Sequence, residues 1–73
     1  MVWFKTEYLG RADETVQPVM AGNHMLYVHY KNGYHSLIEG ITSLHAFLQG
    51  DVNQRVACTD SETELIALIR KYE

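Results

Sequence analysis

The most regular pattern along the chain is a pair of aromatic and apolar segments separated by Asn32-Gly33. Residues 24–31 and 34–39 are rich in tyrosine, histidine and branched side chains, which favour the pleated surface of a β-strand. Asn-Gly accepts positive φ at both central positions of a type I′ turn, which joins two strands through two residues. The pattern therefore predicts a β-hairpin with its bend at this dipeptide.

The two-residue turn also fixes the register of the hairpin, because residues that lie opposite each other share a face of the sheet. The predicted pairs, counted outward from the turn, are Lys31–Tyr34, Tyr30–His35, His29–Ser36, Val28–Leu37 and Tyr27–Ile38. One face then carries Leu26, Val28, Tyr30, His35 and Leu37. The other face carries Met25, Tyr27, His29, Ser36 and Ile38. Both faces are mixed, which favours a sheet with helices on one side and a partly covered or bound surface on the other.

Before the hairpin the pattern is weaker. Residues 2–9 combine aromatic and branched side chains and predict a strand that ends at Gly10. Polar and turn-forming residues dominate from 10 to 23 and predict a long loop. A short extension at 16–20 would be held at a sheet edge, because Pro18 has no N–H to give to a neighbouring strand.

After the hairpin, apolar positions spaced by three and four predict a helix over 41–50, capped by Thr42 or Ser43. Alternation of apolar and polar side chains predicts a half-buried strand over 52–58. Overlapping Ser/Thr-x-x-Glu patterns from Thr59 onward predict the start of a last helix. The apolar stripe of that helix consists of Leu65, Leu68, Ile69 and Tyr72.

These elements predict one α+β domain over residues 1–73, since the chain is too short for two domains. Their order, β-β-β-α-β-α, favours a small four-stranded, mostly antiparallel sheet with both helices packed on one face. The helix at 41–50 would carry the chain through a right-handed crossover to the strand at 52–58. That connection is close to the shortest length that a crossover allows.

Charge and cysteine content indicate which partners and which cellular compartment are favoured. The chain has 6 Lys and Arg against 9 Asp and Glu, a formal net charge of -3, and its basic residues are scattered. This disfavours duplex DNA or an anionic membrane as the main partner, because both need clustered cations. Cys58 is the only cysteine, residues 1–10 lack a signal-peptide core, and no apolar run approaches ~20 residues. The expectation is therefore a cytoplasmic protein that spans no membrane.

The sequence carries no constellation that predicts catalysis, a metal site or a cofactor. In the predicted register His29 and His35 point to opposite faces, so they do not converge with His24 on one metal ion. Cys58 has no Cys-x-x-Cys partner and no histidine close in sequence. Helix capping and the helix dipole account for Asp60, Glu62 and Glu64 in the first turn of the last helix, and no glycine-rich phosphate loop occurs. The sequence therefore predicts a protein that is not an enzyme.

The aromatic hairpin predicts binding instead. Tyrosine and tryptophan dominate protein interfaces, and histidine changes its charge near neutral pH. The candidate binding residues are Trp3, Tyr27, His29, Tyr30, Tyr34 and His35. The expected function is a small protein-interaction module, such as a regulatory subunit, an inhibitor or an accessory protein of a phage or mobile element. Its partner would be another protein, or a second copy of this chain that pairs at an open sheet edge.

Two other functions stay open. A sheet that displays aromatic rings can stack single-stranded bases, so a nucleic-acid or nucleotide-binding module on the same sheet is the first alternative. The net charge disfavours that alternative. A small metal- or thiol-dependent enzyme, built on the histidines and Cys58, is the second.

Overall fold

The structure, a computed structural model, describes residues 1–10 and 13–73. In these residues the chain forms one antiparallel sheet of six strands and two α-helices. The strands are β1 (Val2–Trp3), β2 (Glu7–Tyr8), β3 (Glu14–Ala21), β4 (His24–Lys31), β5 (Tyr34–Glu39) and β6 (Arg55–Thr59). The helices are α1 (Ile41–Leu48) and α2 (Glu62–Arg70), and a 3₁₀ turn spans Val52–Gln54. The α+β class is confirmed, whereas the sheet has six strands in place of the four predicted. None of the described helices has the length and apolarity that a membrane crossing needs.

The hairpin of β4 and β5 lies at the centre of the sheet and has the predicted register. All the pairs predicted from Lys31–Tyr34 onward are present. Asn32 has a φ of 55° and Gly33 a φ of 83°, and both are positive as a type I′ turn requires. β3 pairs with β4 and β6 pairs with β5, while β1 and β2 both pair with the outer side of β3.

The long loop predicted over 10–23 is wrong for residues 14–21, which form the inner strand β3. A second two-residue turn, Gly22-Asn23, joins β3 to β4. Gly22 has a φ of 58° and Asn23 has no positive φ, which is the pattern of a type II′ turn. Residues 11–12 of the predicted loop lie outside the described residues.

Pro18 belongs to this inner strand and not to the sheet edge that the sequence indicated. Toward β4, Pro18 lies opposite Tyr27. Counted from the two-residue turn, pairs that exchange two backbone hydrogen bonds alternate with pairs that exchange none, and Pro18–Tyr27 is a pair of the second kind. On the other side its carbonyl accepts a hydrogen bond from the Phe4 amide at 2.9 Å. The Phe4 carbonyl accepts from Gln17 Nε2 at 3.1 Å, in place of the N–H that proline lacks. The strand predicted over 2–9 is accordingly interrupted here, between β1 and β2.

The two helices pack on opposite faces of the sheet, so the prediction of both helices on one face is wrong. On the α2 face, Leu65 and Ile69 pack with Val19, Ala21, Leu26, Val28 and Leu37. On the α1 face, Leu44 packs with Val16 and Ile38, and this cluster is bordered by Leu9, Tyr27 and Phe47. Successive strand residues point to opposite faces, and Leu37 and Ile38 are both almost fully buried. A hairpin that buries apolar side chains on both faces needs a cover on each.

The predicted crossover after the hairpin is also wrong, because β6 runs antiparallel to β5. Helix α1 has 8 residues and rises only ~12 Å, whereas the six residues of β5 extend ~20 Å. The helix is therefore too short to return the chain to the start of β5. Residues 52–54, predicted as strand, form the 3₁₀ turn, and a register shift between Leu37 and Ile38 leaves Val56 as a bulge.

The two helices begin in different ways. The predicted caps Thr42 and Ser43 are not used, because Gly40 is the N-cap of α1 and no side chain of the described residues caps this helix. In α2 the predicted cap is present, with Ser61 Oγ accepting from the Glu64 amide at 3.2 Å. Thr59 Oγ1 completes the cap: it accepts from the Ser61 amide at 3.0 Å and donates to Glu64 Oε2 at 2.9 Å.

Removing the Ser61 hydroxyl is expected to lower the free energy of unfolding by about 1 kcal/mol, the usual loss for an N-cap. Urea titration of Ser61→Ala measures this loss. Thr42→Ala removes a hydroxyl from the first turn of α1, where no side chain caps the helix, and its effect should stay within about 0.5 kcal/mol. Equal losses in the two variants would contradict the assignment of the cap.

Candidate functional site

Helix α2 leaves part of its sheet face uncovered, and this part forms an open groove of about 640 Å³. We call it the α2-side groove. Trp3 of β1 borders it on one side, and the first turns of α2 border it on the other. Its lining is completed by Thr15, Gln17, Val28, Tyr30, His35, Glu62, Leu65 and Ile66. Small-ligand sites typically have volumes of ~300–1,000 Å³.

Aromatic side chains dominate the open part of this groove. Trp3 is 38% exposed and Tyr30 is 36% exposed. Tyr30 lies opposite His35 in the hairpin, and their ring centroids are 4.8 Å apart at an interplanar angle of 48°. His35 Nδ1 is buried without a hydrogen-bond partner among the described residues. A buried polar atom without a partner costs about 1–3 kcal/mol.

The charge of the α2-side groove comes from a single carboxylate among the described residues. Glu62, in the first turn of α2, is the charged residue of the lining, and neither lysine nor arginine contributes. The groove is therefore suited to a neutral or basic group and unsuited to a phosphate.

The α1 face carries a second concavity, of about 400 Å³, between the hairpin and α1. We call it the α1-side pocket. Its lining consists of His29, Lys31, Asn32, Tyr34, Ser36, Phe47, Arg55 and Cys58. Lys31 and Arg55 are the charged residues of this described lining, so the two concavities differ in the sign of their charge.

The structure divides the predicted binding residues between these surfaces. Trp3, Tyr30 and His35 line the α2-side groove, and Tyr34 and His29 line the α1-side pocket. Tyr27 is half-buried and packs against the apolar cluster of the α1 face. The three groups do not form one continuous aromatic surface.

His29 is held in place by its surroundings. It is 7% exposed, and its Nε2 lies 2.7 Å from Glu14 Oε2. Its ring makes an edge contact with Phe47, with centroids 5.2 Å apart. These contacts give His29 a structural role in joining β3, β4 and α1.

The residues considered for metal or thiol chemistry do not converge. Within 1–10 and 13–73, no three His, Cys, Asp or Glu side chains are placed to hold a metal ion. His24 is paired with Glu39, with Nδ1 and Oε2 2.6 Å apart. The Cys58 thiol is exposed, and its hydrogen-bond partner is Ser36 Oγ at 3.9 Å.

Several lining residues were missed by reasoning from the sequence. The predicted loop over 10–23 includes Thr15 and Gln17, and capping together with the helix dipole accounts for Glu62 without a binding role. Lys31 carried a usable signal, because the predicted register places it opposite Tyr34 and therefore on the same face. Arg55 had no such signal, because its position depends on the bulge in β6.

Comparison of the chain with models of protein families, with curated proteins and with solved structures finds no match.

Proposed function

We propose that this protein is a non-catalytic protein-interaction module that binds a segment of a partner protein in the α2-side groove. One observation carries the proposal: Trp3 and Tyr30 are partly exposed in the same concave surface, between a strand and a helix. Tryptophan and tyrosine in a partly enclosed setting are the side chains that most often dominate the affinity of a protein interface. Tyr30 lies in a strand that is paired on both sides and contacts the His35 ring, which favours a side chain ordered before binding and reduces the entropy lost on association.

The charge of the groove defines the partner further. Glu62 would attract a lysine or arginine, and the faces of Trp3 and Tyr30 are favourable contacts for such a cation. The partner segment therefore carries at least one apolar anchor and one basic residue.

Single-stranded nucleic acid fits the same groove less well. Stacking of bases on aromatic rings works together with cations that follow the phosphate backbone. The described lining of the α2-side groove has no cation, and the carboxylate of Glu62 would repel phosphates. A peptide is therefore the favoured occupant.

Selection of random peptides on the immobilised protein tests this function. We expect enriched peptides to contain an aromatic or long aliphatic residue near a lysine or arginine. Tyr30→Ala should weaken their binding by about 30-fold, the change that a hot-spot loss of about 2 kcal/mol produces. Isothermal titration calorimetry of the wild type and the variant measures this ratio.

Tyr34→Ala is the matched control, because it removes the same side chain from the opposite face and should leave the affinity within twofold. A selection that enriches no peptide, or peptides that bind Tyr30→Ala as tightly as the wild type, would overturn the proposal. Light scattering shows whether the chain associates with itself. Self-association that Tyr30→Ala abolishes would identify the partner as a second copy of the chain.

A further inference from the structure

We infer that the α1-side pocket is a second binding site, which takes a small organic anion with a flat ring. Phosphate and carboxylate are the anionic groups that it would accept. The site shares no lining residue with the α2-side groove, so the inference does not depend on the proposed protein partner.

The floor of the pocket is a polar row that crosses three adjacent strands. His29 lies opposite Ser36, and Ser36 lies opposite Cys58. Phe47 of α1 forms a wall over this row, and the Asn32 turn closes one end. A concave site with an aromatic wall and a few polar groups on its floor is the usual form of a small-ligand site.

One cation lies on each side of this row. Lys31 lies on the side nearer the Asn32 turn, and Arg55, opposite Ile38, lies on the side away from that turn. Neither side chain forms an ion pair with a carboxylate of residues 1–10 or 13–73. Glu14 lies opposite Lys31, but its Oε2 pairs with His29 Nε2 at 2.7 Å and it is not part of the lining.

This arrangement is notable in a chain whose formal net charge is -3. Two of its 6 lysines and arginines line one concavity, and neither forms an ion pair with a carboxylate of the described residues. The side-chain amide of Asn32 adds a hydrogen-bond donor to the same lining. An anion bound between the two cations would form charge-assisted hydrogen bonds, which are stronger than neutral ones.

The ring requirement follows from the rest of the lining. Tyr34 is 54% exposed and Phe47 is half-buried, so both rings present area to an occupant of the pocket. Exposed cations bind a bare anion weakly, because water competes for both charges. Stacking of a flat ring on an aromatic side chain adds affinity, and water does not compete for this contact as it does for the charges.

Nuclear magnetic resonance titration of the ¹⁵N-labelled protein with four probes tests the site. AMP carries ring and phosphate, adenosine carries the ring alone, inorganic phosphate carries the charge alone, and benzoate carries a ring with a carboxylate. We expect AMP or benzoate to shift the amides of Asn32, Ser36 and Cys58 and to bind at least tenfold more tightly than adenosine or phosphate. Binding of AMP alone identifies a phosphate ligand, and binding of benzoate alone identifies a carboxylate ligand.

Charge variants connect the binding to the pocket. Lys31→Gln and Arg55→Gln should each weaken the binding of the better probe about tenfold, as loss of one charge-assisted hydrogen bond would do. Arg70→Gln removes one positive charge from α2, away from the pocket, and should leave the affinity within twofold. Tyr30→Ala, in the α2-side groove, should also leave it unchanged, so this test is independent of the proposed function.

Cys58 provides a second readout, because it is the only cysteine of the chain, it is exposed and it lines the pocket. The bound probe should slow alkylation of Cys58 by iodoacetamide in proportion to its occupancy. The inference is overturned if no probe shifts these amides, if the shifts fall on α2 instead, or if Arg70→Gln weakens binding as much as Lys31→Gln and Arg55→Gln do.

Discussion

Leu37→Ala and Ile38→Ala are each expected to lower the free energy of unfolding by about 2–5 kcal/mol, although the two residues are neighbours that point to opposite faces. Leu37 is 1% exposed and belongs to the α2-face cluster, while Ile38 is 0% exposed and belongs to the α1-face cluster. Removing either side chain leaves a cavity beneath one helix that its neighbours fill only in part. Since stability is about 0.05–0.15 kcal/mol per residue, either loss is a large share of the total.

Urea titration followed by circular dichroism measures both losses. Val56→Ala is the control, because Val56 is 54% exposed in the bulge of β6 and its truncation should change stability by no more than about 0.5 kcal/mol. A sheet with both helices on one face would give a large loss at only one of the two positions. A loss at Leu37 or Ile38 that matched the control would therefore contradict the two-sided packing.

The centre of the fold could be predicted from the sequence because its determinants are local. Asn32-Gly33 accepts the positive φ of both turn positions, and a two-residue turn leaves one register for the strands beside it. The start of α2 was predictable for the same reason, since Ser61 and Glu64 are three residues apart in one turn.

The predictions that are wrong concern contacts between residues that are distant in the sequence. β3 contains Pro18, which favours a sheet edge, yet β3 is an inner strand in which the Phe4 carbonyl accepts from Gln17 in place of the N–H that proline lacks. A local signal for β3 did exist, because Gly-Asn is also a two-residue hairpin turn and Gly22-Asn23 directly precedes β4. The face that each helix covers depends on the direction in which the chain leaves the hairpin. The apolar pattern around Leu44 predicts a helix but not that direction.

The candidate site was predictable in part for the same physical reason. The pairing of Tyr30 with His35 follows from the register of the hairpin, and the structure confirms this pair. The meeting of these residues with Trp3 depends on the pairing of β1 with the unpredicted strand β3. The approach of Arg55 to the α1-side pocket depends on the bulge at Val56, which no local pattern in β6 indicates.

Gly22→Ala is expected to lower the free energy of unfolding by about 2–4 kcal/mol, from two separate causes. Gly22 has a φ of 58°, which costs an alanine about 1–2 kcal/mol. A Cβ at this position would also lie 2.6 Å from the carbonyl oxygen of Tyr72, which belongs to the backbone and does not swing aside. The turn between β3 and β4 would have to move away from the end of α2.

Gly33→Ala separates the two causes. Gly33 has a φ of 83° in the other hairpin turn, but a Cβ there would meet no atom of residues 1–10 or 13–73 within 4 Å, so this variant should lose only the backbone contribution. We expect Gly22→Ala to be the less stable of the two by about 1–3 kcal/mol in urea titration. It should also broaden or shift the amide resonances of Tyr72 and Glu73, which Gly33→Ala should leave in place. Equal stability of the two variants, with unchanged resonances at Tyr72, would show that the turn does not pack against the end of α2.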